Sequence, residues 1–143
     1  MKTVASILAV KGAEVFAVAP GASVYEALQV LAEKNVGALA VVDGGKLVGI
    51  LSERDYARKV VLVDRSSRGT LVSEIMTAKV ETIAATSSIE ECMELMTERH
   101  VRHLPVLDGE ELVGVISIGD VVKAVIADLA AMVERLDAYI RGR

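Results

Sequence analysis

Aromatic side chains are nearly missing from this chain, which has no tryptophan, one phenylalanine and three tyrosines in 143 residues. A core without rings must be aliphatic, and the 52% of hydrophobic residues supplies the Val, Ile, Leu, Ala and Met to build it. Positive charge is not in excess either: sixteen Lys and Arg stand against twenty Asp and Glu, for a net charge of −4. The chain has neither a cationic field to neutralise phosphodiesters nor rings to stack on bases, which argues against nucleic acid as a partner. Cysteine occurs once, so no internal disulfide is possible, in keeping with a reducing compartment. That residue, Cys92, lies in the helical pattern Glu91-Cys92-Met93-Glu94-Leu95-Met96 and reads as a small buried hydrophobe. No uninterrupted apolar run approaches the ~20 residues of a membrane span. The segment Met1 to Leu8 is apolar only briefly before Lys11, without a secretory hydrophobic region. The expectation is a soluble cytoplasmic protein with no membrane partner.

What the chain does have is an internal repeat. With Val15 laid over Val80, an offset of 65 residues, the sequence matches itself without a gap to Val60 over Val125, and about a third of the aligned positions are identical. Ser23 falls on Ser88, Glu26 on Glu91, Leu39 on Leu104, Asp43-Gly44 on Asp108-Gly109, Leu47-Val48-Gly49 on Leu112-Val113-Gly114, Ser52 on Ser117 and Asp55 on Asp120. An ungapped register of that length indicates duplication.

Both repeats parse the same way. A short extended piece (Val15 to Val18; Val80 to Ile83) leads to a serine with glutamate three residues on, the spacing of a capping box. The helix that follows carries apolar residues at helical intervals: Val24, Ala27, Leu28 and Leu31, then Ile89, Cys92, Met93 and Met96. Next comes a buried-strand run (Leu39 to Val42; Leu104 to Leu107), then Asp-Gly as a hairpin turn and a return strand (Lys46 to Leu51; Glu111 to Ile116). A second helix begins near Glu53 and near Ile118. The predicted fold is therefore α+β, two β-α-β-β-α repeats. At about fifty residues each, they bury too little surface alone and should pack together. The predicted divisions are residues 1–64 for the first repeat with an N-terminal helix, 65–79 for a polar connector and short helix, and 80–143 for the second repeat with an extended C-terminal helix. On that last helix Ile126, Leu129, Val133, Leu136 and Ile140 share one face, suited either to packing on its own domain or to meeting a partner.

The segments Gly49-Ile50-Leu51-Ser52-Glu53-Arg54-Asp55 and Gly114-Val115-Ile116-Ser117-Ile118-Gly119-Asp120 repeat a Ser-x-x-Asp spacing at the end of a strand. A serine that ends a strand and opens a helix places its hydroxyl beside free backbone N–H groups, a setting that receives anions. The aspartate one turn on is an acceptor able to take two vicinal hydroxyls, as on a ribose. The alternative is that Ser52 and Ser117 are simply N-caps, with Asp55 and Asp120 complementing the helix dipole. These two segments, with His103-Leu104-Pro105-Val106-Leu107-Asp108 and its fainter echo Ala38-Leu39-Ala40-Val41-Val42-Asp43, resemble the CBS domain family over nearly the whole chain.

The resemblance implies a tandem pair of CBS domains related by a pseudo-twofold, each pocket combining the Ser-x-x-Asp of one repeat with groups from the other. The first pocket would join Ser52, Arg54 and Asp55 with Thr82, Arg102, His103, Leu104 and Pro105. The second would join Ser117, Gly119 and Asp120 with Ala17, Val18, Gly37, Ala38 and Leu39. Arg54, Arg102 and His103 would give the first a cationic lining. The implied ligand is an adenine nucleotide, AMP first, with NAD or ATP as alternatives. The implied protein is a regulatory sensor rather than an enzyme, assembled as a homodimer and able to serve a partner enzyme or transporter. Its rival is a ligand-free structural or dimerisation module. His100 and His103 have no further His or Cys to complete a metal site, and neither serine has a nucleophile's context.

Overall fold

The computed structural model describes residues 2–12 and 14–142. Two three-stranded sheets, ordered β1-β2-β3 and β4-β5-β6, repeat each other. In the first, β1 (Ala17–Val18) pairs parallel with β2 (Ala38–Asp43), which pairs antiparallel with β3 (Lys46–Ser52). In the second, β4 (Ile83–Ala84), β5 (His103–Asp108) and β6 (Glu111–Ser117) do the same. Even the irregularity recurs, since the register slips between Val41 and Val42 and again between Val106 and Leu107, the matching step. The first hairpin turns through Gly44 and Gly45, both at positive φ, which matches the right-handed twist of the flanking strands. The opening strands are shorter than the sequence suggested, two residues each.

Helices α2 (Val24–Lys34) and α5 (Ile89–Arg99) follow the first strand of each repeat, and serine caps both. The Ser23 hydroxyl accepts from Glu26 N–H, and that of Ser88 from Glu91 N–H. Each ends on a left-handed residue at the same place, Asn35 and His100. Cys92, at the centre of α5, is fully buried, and burial pushes its thiol up to about 11, so it acts as a small hydrophobe.

The N-terminal helix α1 (Val4–Lys11) corrects a sequence expectation. Chain order groups it with the first repeat, yet Val4, Ile7 and Leu8 are buried in the core of the second, with Ile83, Ile89, Met96, Leu104 and Ile116. Conversely, α4 (Val72–Ile75), just ahead of the second repeat, buries Val72 and Ile75 in the core of the first, with Val24, Leu31, Leu39 and Leu51. The exchange is symmetric. Val4 N–H donates to Ser87 O and Ala5 N–H to Ala85 O, while Val72 N–H donates to Ala22 O and Ser73 N–H to Pro20 O. Each repeat thus lends its leading segment to the other, and the two fold as a pair. The exchanged segments also pack closely over glycines. A Cβ on Gly114 would lie 2.8 Å from Leu8, and one on Gly49 would lie 2.6 Å from Met76.

The closing helices differ. Helix α3 (Glu53–Tyr56) runs into a π-helical turn, Ala57–Val61, and the chain then enters the connector. The connector is anchored to α2, with Tyr25 N–H donating to Ser67 O and the Arg68 guanidinium 3.9 Å above the Tyr25 ring. Helix α6 (Ile118–Arg141) instead continues for 24 residues, and only Val121 on it is fully buried. Every residue from 129 to 142 is exposed, so the tail does not pack on its own domain.

Candidate nucleotide-binding clefts

At the start of α3, Ser52 and Asp55 hold each other. Asp55 N–H donates to Ser52 Oγ at 3.2 Å, while Ser52 N–H and Oγ donate to Asp55 Oδ2 at 3.0 and 3.1 Å. Lys59 completes the arrangement at 3.1 Å from Asp55 Oδ1. The second repeat copies this at α6, with Asp120 N–H to Ser117 Oγ at 3.2 Å and Ser117 N–H to Asp120 Oδ2 at 2.9 Å. Its lysine comes from elsewhere: Lys11, at the end of α1, reaches Asp120 Oδ2 at 2.6 Å and Val115 O at 2.7 Å. Partial burial pushes the Asp120 carboxyl up, but the Lys11 and Ser117 hydrogen bonds outweigh it and hold the group below its usual value. Both motifs are therefore capping boxes, as the structural reading of the sequence expected. That does not take them out of the clefts.

A cleft of about 560 Å³ opens beside Asp55. Ser52, Arg54 and Asp55 line it together with Arg102 and His103 from the other repeat, so five of the eight residues expected there converge. Leu104, facing opposite to His103 on β5, is fully buried in the second core, and Pro105 is buried as well, so neither lines the cleft. Thr82, just ahead of β4, also lies off the wall. The sequence reading missed Glu53, Arg58, Thr77, Lys79, Glu81 and His100 on this wall. Arg58 stands one turn beyond Arg54, a spacing open to inspection.

A smaller cleft, about 240 Å³, lies beside Asp120. Ser117 and Asp120 meet Gly37 and Ala38 there, as expected, along with the unexpected Lys11, Glu14, Phe16 and Val36. Leu39 is fully buried in the first core, Val18 packs against that core, Ala17 is an exposed β1 residue paired with Ala40, and Gly119 is exposed on the first turn of α6. None of the four lines the cleft.

His103 and Gly37 line both clefts and sit where the repeats meet. A Cβ on Gly37 would come within 3.1 Å of His103 Nε2 and 3.2 Å of Glu53 Oε1, so this junction admits no side chain without a shift. Burial pushes the His103 imidazole below its usual range, with Lys11 and Arg102 adding to the effect and Asp120 opposing it. His103 is therefore neutral near pH 7, and the expected cationic lining is carried by arginine and lysine alone. Arg54, Arg58, Lys79 and Arg102 share the larger cleft, and among the described residues none of them is in an ion pair within 4.0 Å. In the smaller cleft the cation, Lys11, is already engaged with Asp120.

The sequence profile of the CBS domain matches residues 9–62 and 72–127, the two repeats in turn. The chain belongs to the CBS domain family. It is 42% identical over 125 residues to the CBS domain-containing protein CBSX3, mitochondrial, of Arabidopsis thaliana, covering 84% of this chain and 61% of that one. The chain thus spans about three-fifths of that relative's length. Its fold matches a CBS-domain protein from Burkholderia ambifaria MC40-6 with a TM-score of 0.85 at 56% identity, over 89% of this chain and 96% of the other. It also matches the CBS domain pair of protein MJ0100, solved in complex with 5′-methylthioadenosine and S-adenosyl-L-methionine, with a TM-score of 0.79 at 25% identity over 90% and 98% of the two chains. CBS pairs are regulatory modules, and some bind adenosine-containing ligands. Among the described residues, no helix is long and apolar enough to cross a membrane.

Proposed function

We propose that this CBS pair is a regulatory adenine-nucleotide sensor whose principal site is the larger cleft. The observation that carries the reading is the company Asp55 keeps. An oriented carboxylate suited to ribose hydroxyls shares one cleft with four cations. Among the described residues those cations are in no ion pair, and they outnumber the cleft's three carboxylates, Glu53, Asp55 and Glu81. The cleft, at about 560 Å³, falls within the ~300–1,000 Å³ usual for small-molecule sites. AMP fits this chemistry first, and ATP or NAD would add phosphates to the same cationic wall. The smaller cleft, with Phe16, Val36 and Ala38 on its wall and Lys11 paired, suits at most an uncharged adenosine-type ligand held weakly.

Both clefts draw on both repeats, so ligand energy favours one arrangement of the pair. A nucleotide shifts that equilibrium only by its differential affinity for the two states. The module regulates rather than catalyses. Ser52 Oγ is committed to Asp55 on both its donor and acceptor sides, the geometry of a helix cap rather than of a nucleophile. The exposed apolar face of α6 supports assembly as a homodimer and transmission to a partner enzyme or transporter in the cytoplasm.

Calorimetric titration of the full chain with AMP, ADP, ATP and NAD(H) tests the reading. At least one binds below millimolar if it holds. If none does, the module is a ligand-free structural one.

A further inference from the structure

Helix α6 carries an apolar stripe that the rest of the described chain leaves about half exposed or more. It comprises Val122, Ile126, Leu129, Val133, Leu136 and Ile140, from 48% exposed for Val122 to 64% for Val133. Their spacing alternates four and three residues from end to end, the 3.5-residue period of a helix seam rather than the 3.6 of a helix lying on a globular core. An unsupported helical segment of thirteen residues, 129–141, is marginal in water without a packed face. A membrane surface is a poor occupant. The polar side of the tail carries Asp128, Glu134 and Asp137 against Arg135 and Arg141, whereas interfacial helices are rich in Lys and Arg.

We propose that this stripe is the interaction surface for the α6 helix of a second copy of the chain, the two helices running antiparallel. The alternation of four and three reads the same in both directions, so reversing one helix brings every apolar residue into a layer. Val122 meets the partner's Ile140, Ile126 meets the partner's Leu136, and Leu129 meets the partner's Val133. The same three layers then recur in reverse. Charge chooses the direction. Antiparallel pairing sets the flanking Lys123 near the partner's Asp137 twice, once at each end, while Ala130 meets its own counterpart at the centre. Parallel pairing would instead place Asp137 beside Met132 and Lys123 beside Ile118, with no opposite charges joined. This deepens the homodimer reading and is independent of nucleotide binding, which calorimetry follows separately.

Analytical ultracentrifugation of the full chain, with crosslinking through introduced surface cysteines while Cys92 stays buried, tests it. Wild type sediments as a dimer at micromolar concentration. Leu129→Glu with Leu136→Glu gives a monomer that keeps a cooperative core unfolding transition and loses only tail helicity, because both side chains are exposed in the protomer. Lys123→Glu raises the dimer dissociation constant several-fold, and adding Asp137→Lys restores it. Oxidised Ile140→Cys does not crosslink to itself, since antiparallel pairing leaves the two cysteines ~27 Å apart along the axis. An equimolar mixture with Val122→Cys does crosslink. A monomeric wild type, with or without sedimentation on anionic vesicles, would overturn the proposal. So would a dimer that survives the double glutamate change, or self-crosslinking of Ile140→Cys.

Discussion

Four cations share the larger cleft with Asp55, Glu53 and Glu81, and under the proposed reading single substitutions should separate their roles toward phosphate. In the proposed site Arg102 meets phosphate rather than sugar, so Arg102→Ala tests that role. It should weaken AMP and ATP by about 1–3 kcal/mol while leaving adenosine affinity within experimental error, read by titration of all three ligands. Equal losses for adenosine would place Arg102 on the base or ribose instead.

His103 supplies a pH signature. Burial lowers its folded value beneath the ordinary 6.5, so the unfolded chain accepts a proton that the folded chain resists. Stability is therefore full above about pH 6.5 and falls as the pH drops through the interval below it. Urea midpoints at pH 7.5 and 5.5 should show a larger fall for wild type than for His103→Gln, and parallel behaviour would contradict this account of its burial. Ser52 and Asp55 were legible because duplication repeats their motif at Ser117 and Asp120, whereas Arg54, Arg102 and His103 fall opposite Gly119, Gly37 and Ala38 and were reached only through the family resemblance. Lys11 and Lys79 were legible by neither route. They lie outside the gapless register, and their place on a cleft wall depends on which repeat their segment packs against.

At the scale of elements, the two leading segments explain what the sequence hid. Val4, Ile7 and Leu8 match Val72, Ile75 and Met76 at an offset of 68, three residues out of step with the rest of the repeat, because α1 runs a turn longer than α4. That same shift matches Lys11 with Lys79. A pairing between segments also leaves no local trace, since nothing in an amphipathic turn says whose core it fills. The strands, hairpins and serine caps are local signals and were readable; the exchange is tertiary and was not. Leu8→Ala should destabilise the chain by about 2–5 kcal/mol, the usual range for a buried leucine, measured by urea unfolding. Hydrogen exchange should quicken in β4, β5 and β6 before β2 and β3, although Leu8 precedes the first repeat in the chain. Faster exchange confined to β2 and β3 would contradict the exchanged packing.

For the molecule as a whole, neither repeat owns a cleft. His103 and Gly37 border both sites, α1 brings Lys11 to the smaller one, and Lys79, just after α4, borders the larger. Under the proposed function, this arrangement would let a bound ligand report on the relative position of the halves. It also predicts unequal sites, because cations free of ion pairs gather at one cleft and the cation at the other is paired. Titration of AMP into wild type, Asp55→Ala and Asp120→Ala under identical buffer tests that asymmetry most directly. The account predicts one sub-millimolar site that Asp55→Ala weakens about tenfold or more, by loss of a charged acceptor, and that Asp120→Ala leaves in place. Tight binding that survives Asp55→Ala and disappears with Asp120→Ala would contradict it.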